Sequence, residues 1–127
     1  MAKCRILVID DTRVIRLSLK SIFEKLGAEV LELGSAEDLF HDSWRFHNLD
    51  LIFLDINLPG MSGMTALVKI KESPKWAGVP VIMLTSHADP VVVKQAIHCG
   101  IYDYICKPFT AEALLQRVKP LLKLPSD

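Results

Sequence analysis

Three carboxylates, a hydroxyl and an ammonium stand at four separated places in the chain: Asp10-Asp11, Asp55, Thr85 and Lys107. Each place follows an apolar run, the first three being Ile6-Leu7-Val8-Ile9, Leu51-Ile52-Phe53-Leu54 and Val81-Ile82-Met83-Leu84. Carboxylates brought together repel one another, and a hard divalent cation with oxygen ligands, Mg2+ or Mn2+, relieves them. Such an ion keeps positions open for phosphoryl oxygens, and a carboxylate beside it can attack phosphorus to give an acyl phosphate. The charge on the equatorial oxygens then calls for an ammonium, a hydroxyl and the metal. These groups supply every part of aspartyl phosphorylation, and none suits a serine or cysteine nucleophile. One acid after a strand is ordinarily a cap or a turn; suitable groups at four strand ends are not explained that way.

Whether they meet depends on the elements that carry them. Five β-rich runs are expected at 5–9, 29–33, 51–54, 79–84 and 102–105. The first, third and fourth are nearly all aliphatic, as strands buried on both faces of a parallel sheet are. Between them, Ile15, Leu19, Ile22 and Leu26 form one helical stripe that Gly27 stops. A second helix is expected from Ser35-Ala36-Glu37-Asp38, with Ser35 as cap and two carboxylates at the positive end. A third starts after Ser62-Gly63; the fourth has Asp89 as cap and Pro90 as first residue, and ends before Gly100. The last starts at Thr110 and carries Leu114, Val118, Leu121 and Leu122, with Pro120 forcing a kink or an early end. Five β-then-α units with short loops predict one α/β domain over residues 1–127, a parallel sheet covered on both faces. In such sheets ligands lie beyond the carboxyl ends of the strands, at the switch point. All four places fall there.

Composition bounds the rest. The 127 residues are half hydrophobic and 24% charged, with 15 basic and 15 acidic side chains, as in a soluble globular domain. A formal net charge of zero gives no electrostatic case for nucleic-acid or membrane binding. No apolar run approaches the roughly 18 residues of a membrane span. The start, Met1 to Ile9, is basic then apolar, but Asp10-Asp11 stands where a signal peptide would be cleaved, so a cytoplasmic start is expected. Cys4, Cys99 and Cys106 are odd in number and lack CxxC spacing, which points to reduced, partly buried thiols. The four histidines have no metal-ligand spacing and read as structural or exposed.

With those residues in place, the chain resembles the two-component response-regulator receiver family (CheY-like). The segment from Asp50 through Asp55 to Gly63 is similar to the family's phosphorylation-site stretch. Asp10-Asp11 resembles its acidic pair, Leu84-Thr85-Ser86 its hydroxyl segment, and Asp103-Tyr104-Ile105-Cys106-Lys107-Pro108-Phe109 its late signature. The match runs in order along essentially the whole chain. It implies a flavodoxin-like (βα)5 fold with strand order 2-1-3-4-5. It also implies that Asp55 accepts a phosphoryl group from a phosphohistidine on a sensor histidine kinase or a histidine phosphotransfer protein. Asp11, Asp55 and the Asn57 carbonyl would ligate Mg2+, with Asp10 acting mainly through a water. Thr85 and Lys107 would hold phosphoryl oxygens, and Pro108, usually after a cis bond, would direct the lysine. Tyr104 would be the aromatic partner of Thr85 in a switch that reshapes the face of helix four, strand five and helix five.

Asn57 and His87 occupy positions that in this family tune phosphoryl lifetime, while Ser86 and Ile101 are larger than the usual alanines and would alter packing rather than chemistry. Arg13, Arg16 and Lys20 share a face of the first helix, which reads as a solvated face before a kinase-docking patch. Output would be a downstream protein or an output domain, with dimerisation on activation left open. The chain stops at Leu124-Pro125-Ser126-Asp127 without an effector segment, so it reads as a stand-alone receiver or the receiver part of a longer regulator. Rival readings are weaker. A haloacid-dehalogenase-like phosphatase needs a second acid two residues past its nucleophile, where Thr12 stands after Asp10. Asp-Asp-Thr-Arg is electrostatically wrong for a flavin phosphate loop. A receiver-fold interaction module that is not phosphorylated in use remains the main alternative.

Overall fold

The computed structural model describes residues 4–87 and 89–122. The readings of the chain's first three residues and its Leu124–Asp127 end lie outside that range. Strands β1 (Arg5–Ile9), β2 (Glu29–Leu33), β3 (Leu51–Asp55), β4 (Val81–Thr85) and β5 (Asp103–Cys106) alternate with helices α1 (Arg13–Glu24), α2 (Glu37–His41), α3 (Gly63–Glu72), α4 (Pro90–His98) and α5 (Ala111–Val118). A 3-10 turn, Ser43–Arg45, follows α2. The strands form one parallel sheet in the order 2-1-3-4-5.

Every residue of β3 and β4 is buried, because helices cover both faces. On one face Leu7, Ile9, Ile52, Leu54, Val81 and Met83 pack against Leu39, Ala66, Leu67, Ile70 and Ala96 from α2, α3 and α4. On the other, Ile6, Val8, Leu51, Phe53, Ile82, Leu84 and Ile105 meet Leu19 and Phe23 of α1 and Leu114 and Val118 of α5. Successive strand residues thus feed opposite layers, as the two-residue period requires. The chain leaves β1 for β2 on one side and returns as β3 on the other. This reversal opens the sheet edge between the carboxyl ends of β1 and β3.

Several boundaries move for local reasons. The fourth strand was expected from residue 79. There the Val79 N–H turns back to the Trp76 carbonyl (2.9 Å), and Pro80 has no N–H, so the ladder begins at Val81. The fifth strand lies one residue later than expected, although the Tyr102 N–H still donates to Val81 O (2.8 Å). Ser35 is not the cap of α2. Ala36, buried in the core, takes that position without a side-chain cap. Ser62, Asp89 and Thr110 cap α3, α4 and α5 through their side chains, and α5 ends at Val118, ahead of Pro120. Gly27 closes the α1 region at φ +90°, a conformation that glycine adopts without strain.

The cysteines divide. Cys4 and Cys99 are half-buried, but Cys106, expected to be partly buried, is exposed, because its side chain leaves the sheet edge after Ile105 enters the core. Burial, with the Asp50 carboxylate beside it, pushes the Cys4 thiol up to about 11. Only thiolate reacts with alkylating reagents. Timed iodoacetamide labelling at pH 8, read by peptide mass, is therefore expected to modify Cys106 well before Cys4. The Cys4 rate should climb about tenfold per pH unit between pH 8 and 10.

Candidate functional site

Strand β1 delivers Asp10 and Asp11, and β3 delivers Asp55, to the edge opened by the chain reversal. Their carboxylates each place an oxygen within 4.8 Å of the others. Asp10 and Asp55 are buried and Asp11 is exposed. From the loop after β5, the Lys107 ammonium reaches 2.7 Å from Asp10 Oδ2 and 3.3 Å from Asp55 Oδ2. The Lys107 N–H donates to Thr85 O (2.7 Å), which ties that loop to the end of β4. The Lys107–Pro108 bond is cis.

Local hydrogen bonds fix the acids. Thr12 N–H donates to Asp10 Oδ1 (2.8 Å) and Asn57 N–H to Asp55 Oδ1 (3.1 Å). Asp10 Oδ2 makes no hydrogen bond of acceptable geometry despite the nearby ammonium, alone in this among buried side-chain nitrogens and oxygens of the described residues. A buried anionic oxygen with one ammonium beside it and two more carboxylates around it is a place that a hard cation with oxygen ligands completes. The residues present therefore fit Mg2+ or Mn2+.

Burial first, and the Asp10 charge second, push the Asp55 carboxyl above the ordinary carboxylate range; the Asn57 N–H and Lys107 pull the other way without cancelling them. Thr85 is buried, with its hydroxyl turned to its own loop: it donates to His87 O (2.5 Å) and accepts from His87 N–H (3.1 Å). Tyr104 is half-buried on β5 and packs at the edge of the α4 side of the core. The side chains of Asn57 and His87 are exposed. Thus Asp10, Asp11, Asp55 and Lys107 meet directly, Thr85 adjoins them through its main chain, and Tyr104 and His87 stand outside the cluster.

Five residues support the site in ways their sequence context does not reveal: Arg16, Lys20, Glu32, Glu37 and Gly63. Of the three basic residues expected on a solvated face of α1, Arg13 is exposed, whereas Arg16 and the partly exposed Lys20 pair with Glu32 on β2 (3.3 and 3.4 Å). Glu32, an acid among Val30, Leu31 and Leu33, was the available signal. Glu37 accepts from Met61 N–H (3.2 Å) and so pins the loop that follows β3. Gly63 lies against the β3 exit: a Cβ there would overlap the Asp55 carbonyl oxygen and stand 2.7 Å from Ile56 Cα.

The structure is a five-stranded parallel α/β sheet in the order 2-1-3-4-5 with an acidic cleft and a lysine at its switch point, and comparison with known proteins places it in a family. The family model for the response regulator receiver domain matches residues 6–119, and the chain belongs to that family. Receiver domains are signalling domains of two-component systems rather than enzymes in the ordinary sense. The chain is 34% identical over 118 residues to the chemotaxis protein CheY of Bacillus subtilis, covering 93% of this chain and 97% of that protein. It is 34% identical to the aerobic respiration control protein ArcA of Escherichia coli over 92% of this chain and 48% of ArcA. The receiver domain of a Pseudomonas aeruginosa sensor histidine kinase, solved with a magnesium ion in its active-site cleft, superposes with a TM-score of 0.82 at 25% identity, covering 94% of this chain and 98% of that one. No helix among the described residues is long and apolar enough to cross a membrane.

Two outcomes test the site's energetics. Ionised Asp55 costs stability, because its folded pKa is raised; the cost is absent below the ordinary carboxylate pKa and complete above the raised one. Without divalent cations at pH 7 to 8, Asp55→Asn is expected to melt about 2–6 °C above wild type, the span of about 1 kcal/mol in a chain this size. The difference should vanish near pH 3.5. Gly63→Ala should destabilise by about 2–4 kcal/mol in urea unfolding, since backbone on both sides must shift.

Proposed function

We propose that the chain is one receiver unit, residues 1–127, working as a phosphorylatable switch in which Asp55 is the phosphoacceptor. What supports this most is the Asp10–Asp11–Asp55 cluster with the Lys107 ammonium against two of its members. A carboxylate oxygen of Asp55 attacks phosphorus; the bond to the donor's imidazole breaks as the new O–P bond forms, and the ring leaves after taking up a proton. Asp11, Asp55 and the Asn57 carbonyl would hold Mg2+ or Mn2+, with Asp10 acting mainly through a water, and the ion would supply positive charge against the carboxylates and phosphoryl oxygens. Lys107, directed by Pro108, already stands where a phosphoryl group on Asp55 would need an ammonium.

Thr85 is the group that reports the event. Its hydroxyl must give up the His87 carbonyl to donate to a phosphoryl oxygen, which draws the β4–α4 loop toward the site. Tyr104 then turns inward, and the α4–β5–α5 face changes shape. The phosphoryl group acts by stabilising one arrangement over the other. Asn57 and His87, exposed beside the site, set how long the phosphoryl group survives. The donor is a sensor histidine kinase or a histidine phosphotransfer protein, and the switched face controls a downstream protein, an output domain or a second receiver.

Incubation with acetyl phosphate and Mg2+, followed by intact-mass measurement, is expected to add one phosphoryl group to wild type and none to Asp55→Asn. Lys107→Ala should cut the labelling rate by about 10²-fold or more, the range for loss of one preorganised charge donor. Absence of any gain with either small-molecule or phosphohistidine donors would favour an unphosphorylated interaction module.

A further inference from the structure

The mechanism above leaves unused a half-buried guanidinium beside the acidic cluster. Arg16, on α1, has only 19% of its side chain exposed. Its Nη1 donates to the main-chain carbonyl of Asp10 (2.7 Å), and its Nε donates to Glu32 Oε1 on β2 (3.3 Å). Glu32 also takes Lys20 through Oε2 (3.4 Å). An ion pair that only stapled α1 to β2 would need the Glu32 bond alone. The second bond goes to Asp10, one of the two buried acids of the cluster.

That carbonyl lies past the last β1 residue, at a point where the Asp10 N–H is already given to Leu33 O (3.1 Å). Left free, it would be a further negative dipole among three carboxylates. Arg16 captures it. Because the peptide is planar and trans, holding the Asp10 carbonyl also holds the plane from which Asp11 hangs. Glu32 acts on Arg16 in turn. A guanidinium freed from Glu32 carries a full charge one carbonyl away from the carboxylates and competes with the cation for them.

We infer that Arg16, clamped by Glu32, is a positioning residue that sets the Asp10–Asp11 peptide for divalent-cation binding. The inference rests on the phosphoacceptor reading and names a part of its machinery that touches neither metal nor phosphoryl group. It is the role that outer residues play when they orient metal ligands.

The test is a Mg2+ titration of thermal unfolding on the full chain, started in EDTA, with acetyl-phosphate labelling measured at low and at saturating Mg2+. Arg16→Met should raise the midpoint Mg2+ concentration by about tenfold, the usual loss when a ligand-orienting residue is removed. Its labelling should recover at saturating Mg2+. Glu32→Gln should shift the midpoint in the same direction, and Arg16→Lys should fall between, because an ammonium lacks the fork that reaches two acceptors. Arg16→Lys also serves as the reporter if Arg16→Met does not fold. A midpoint within twofold of wild type, with only the EDTA melting temperature lowered, would reduce Arg16 to a structural staple and overturn the inference. A wild type whose melting ignores Mg2+ would instead bring down the phosphoacceptor reading, and this inference with it.

Discussion

Like charges held together against their repulsion are the constraint around which this molecule is organised. Three carboxylates with oxygens inside 4.8 Å of one another, two of them buried, cannot all be accommodated by one ammonium. The rest of the fold supplies the force that keeps them there. Aliphatic strands β1 and β3 are locked side by side between two apolar layers, and each ends in its acid. The cost of closeness is spread over hydrogen bonds from Thr12 and Asn57 and over the Lys107 ion pairs. What remains uncompensated is a standing affinity for positive charge. On the proposed reading, a cation would bind here by relieving a tension that already exists, and its charge would then offset the phosphoryl oxygens.

The same edge explains how a local event can travel. Thr85 belongs to the sheet through its backbone and to the β4–α4 loop through its hydroxyl. A phosphoryl group on Asp55 would, on the proposed reading, compete with the His87 carbonyl for that hydroxyl, while the backbone attachment stays. On the proposed reading, the bistable element is this loop with Tyr104 beside it, and the phosphoryl group biases a choice the loop already has. The Arg117–Asp103 pair (2.8 Å) fastens α5 to β5 at an exposed edge of the same face, where it contributes little to stability.

Much of this was readable in the residues. The strands at 5–9 and 29–33 stand where the aliphatic pattern put them, and so do the caps Ser62, Asp89 and Thr110, because burial and capping are local and strong. The four chemical groups were visible as polar residues ending apolar runs. Boundaries failed where a neighbour decided them. Val79 lost its strand to a bond back to Trp76, and Ser35 lost its cap because core packing of Ala36 delays the helix start. Arg16 and Lys20 read as solvated because their partner, Glu32, lies on another element, and charge spacing along one helix carries no information about a facing strand. The close approach of Gly63 to the Asp55 carbonyl is likewise tertiary geometry.

On the proposed reading, residues 10, 11 and 55 all serve one cation. Anomalous diffraction from a crystal of the chain grown with Mn2+ tests it without any appeal to activity. A single strong peak is expected at the carboxyl ends of β1 and β3, beside those three side chains and with Lys107 alongside. A peak bound elsewhere, or a cleft with ordered carboxylates and no manganese at saturating concentration, would contradict that reading.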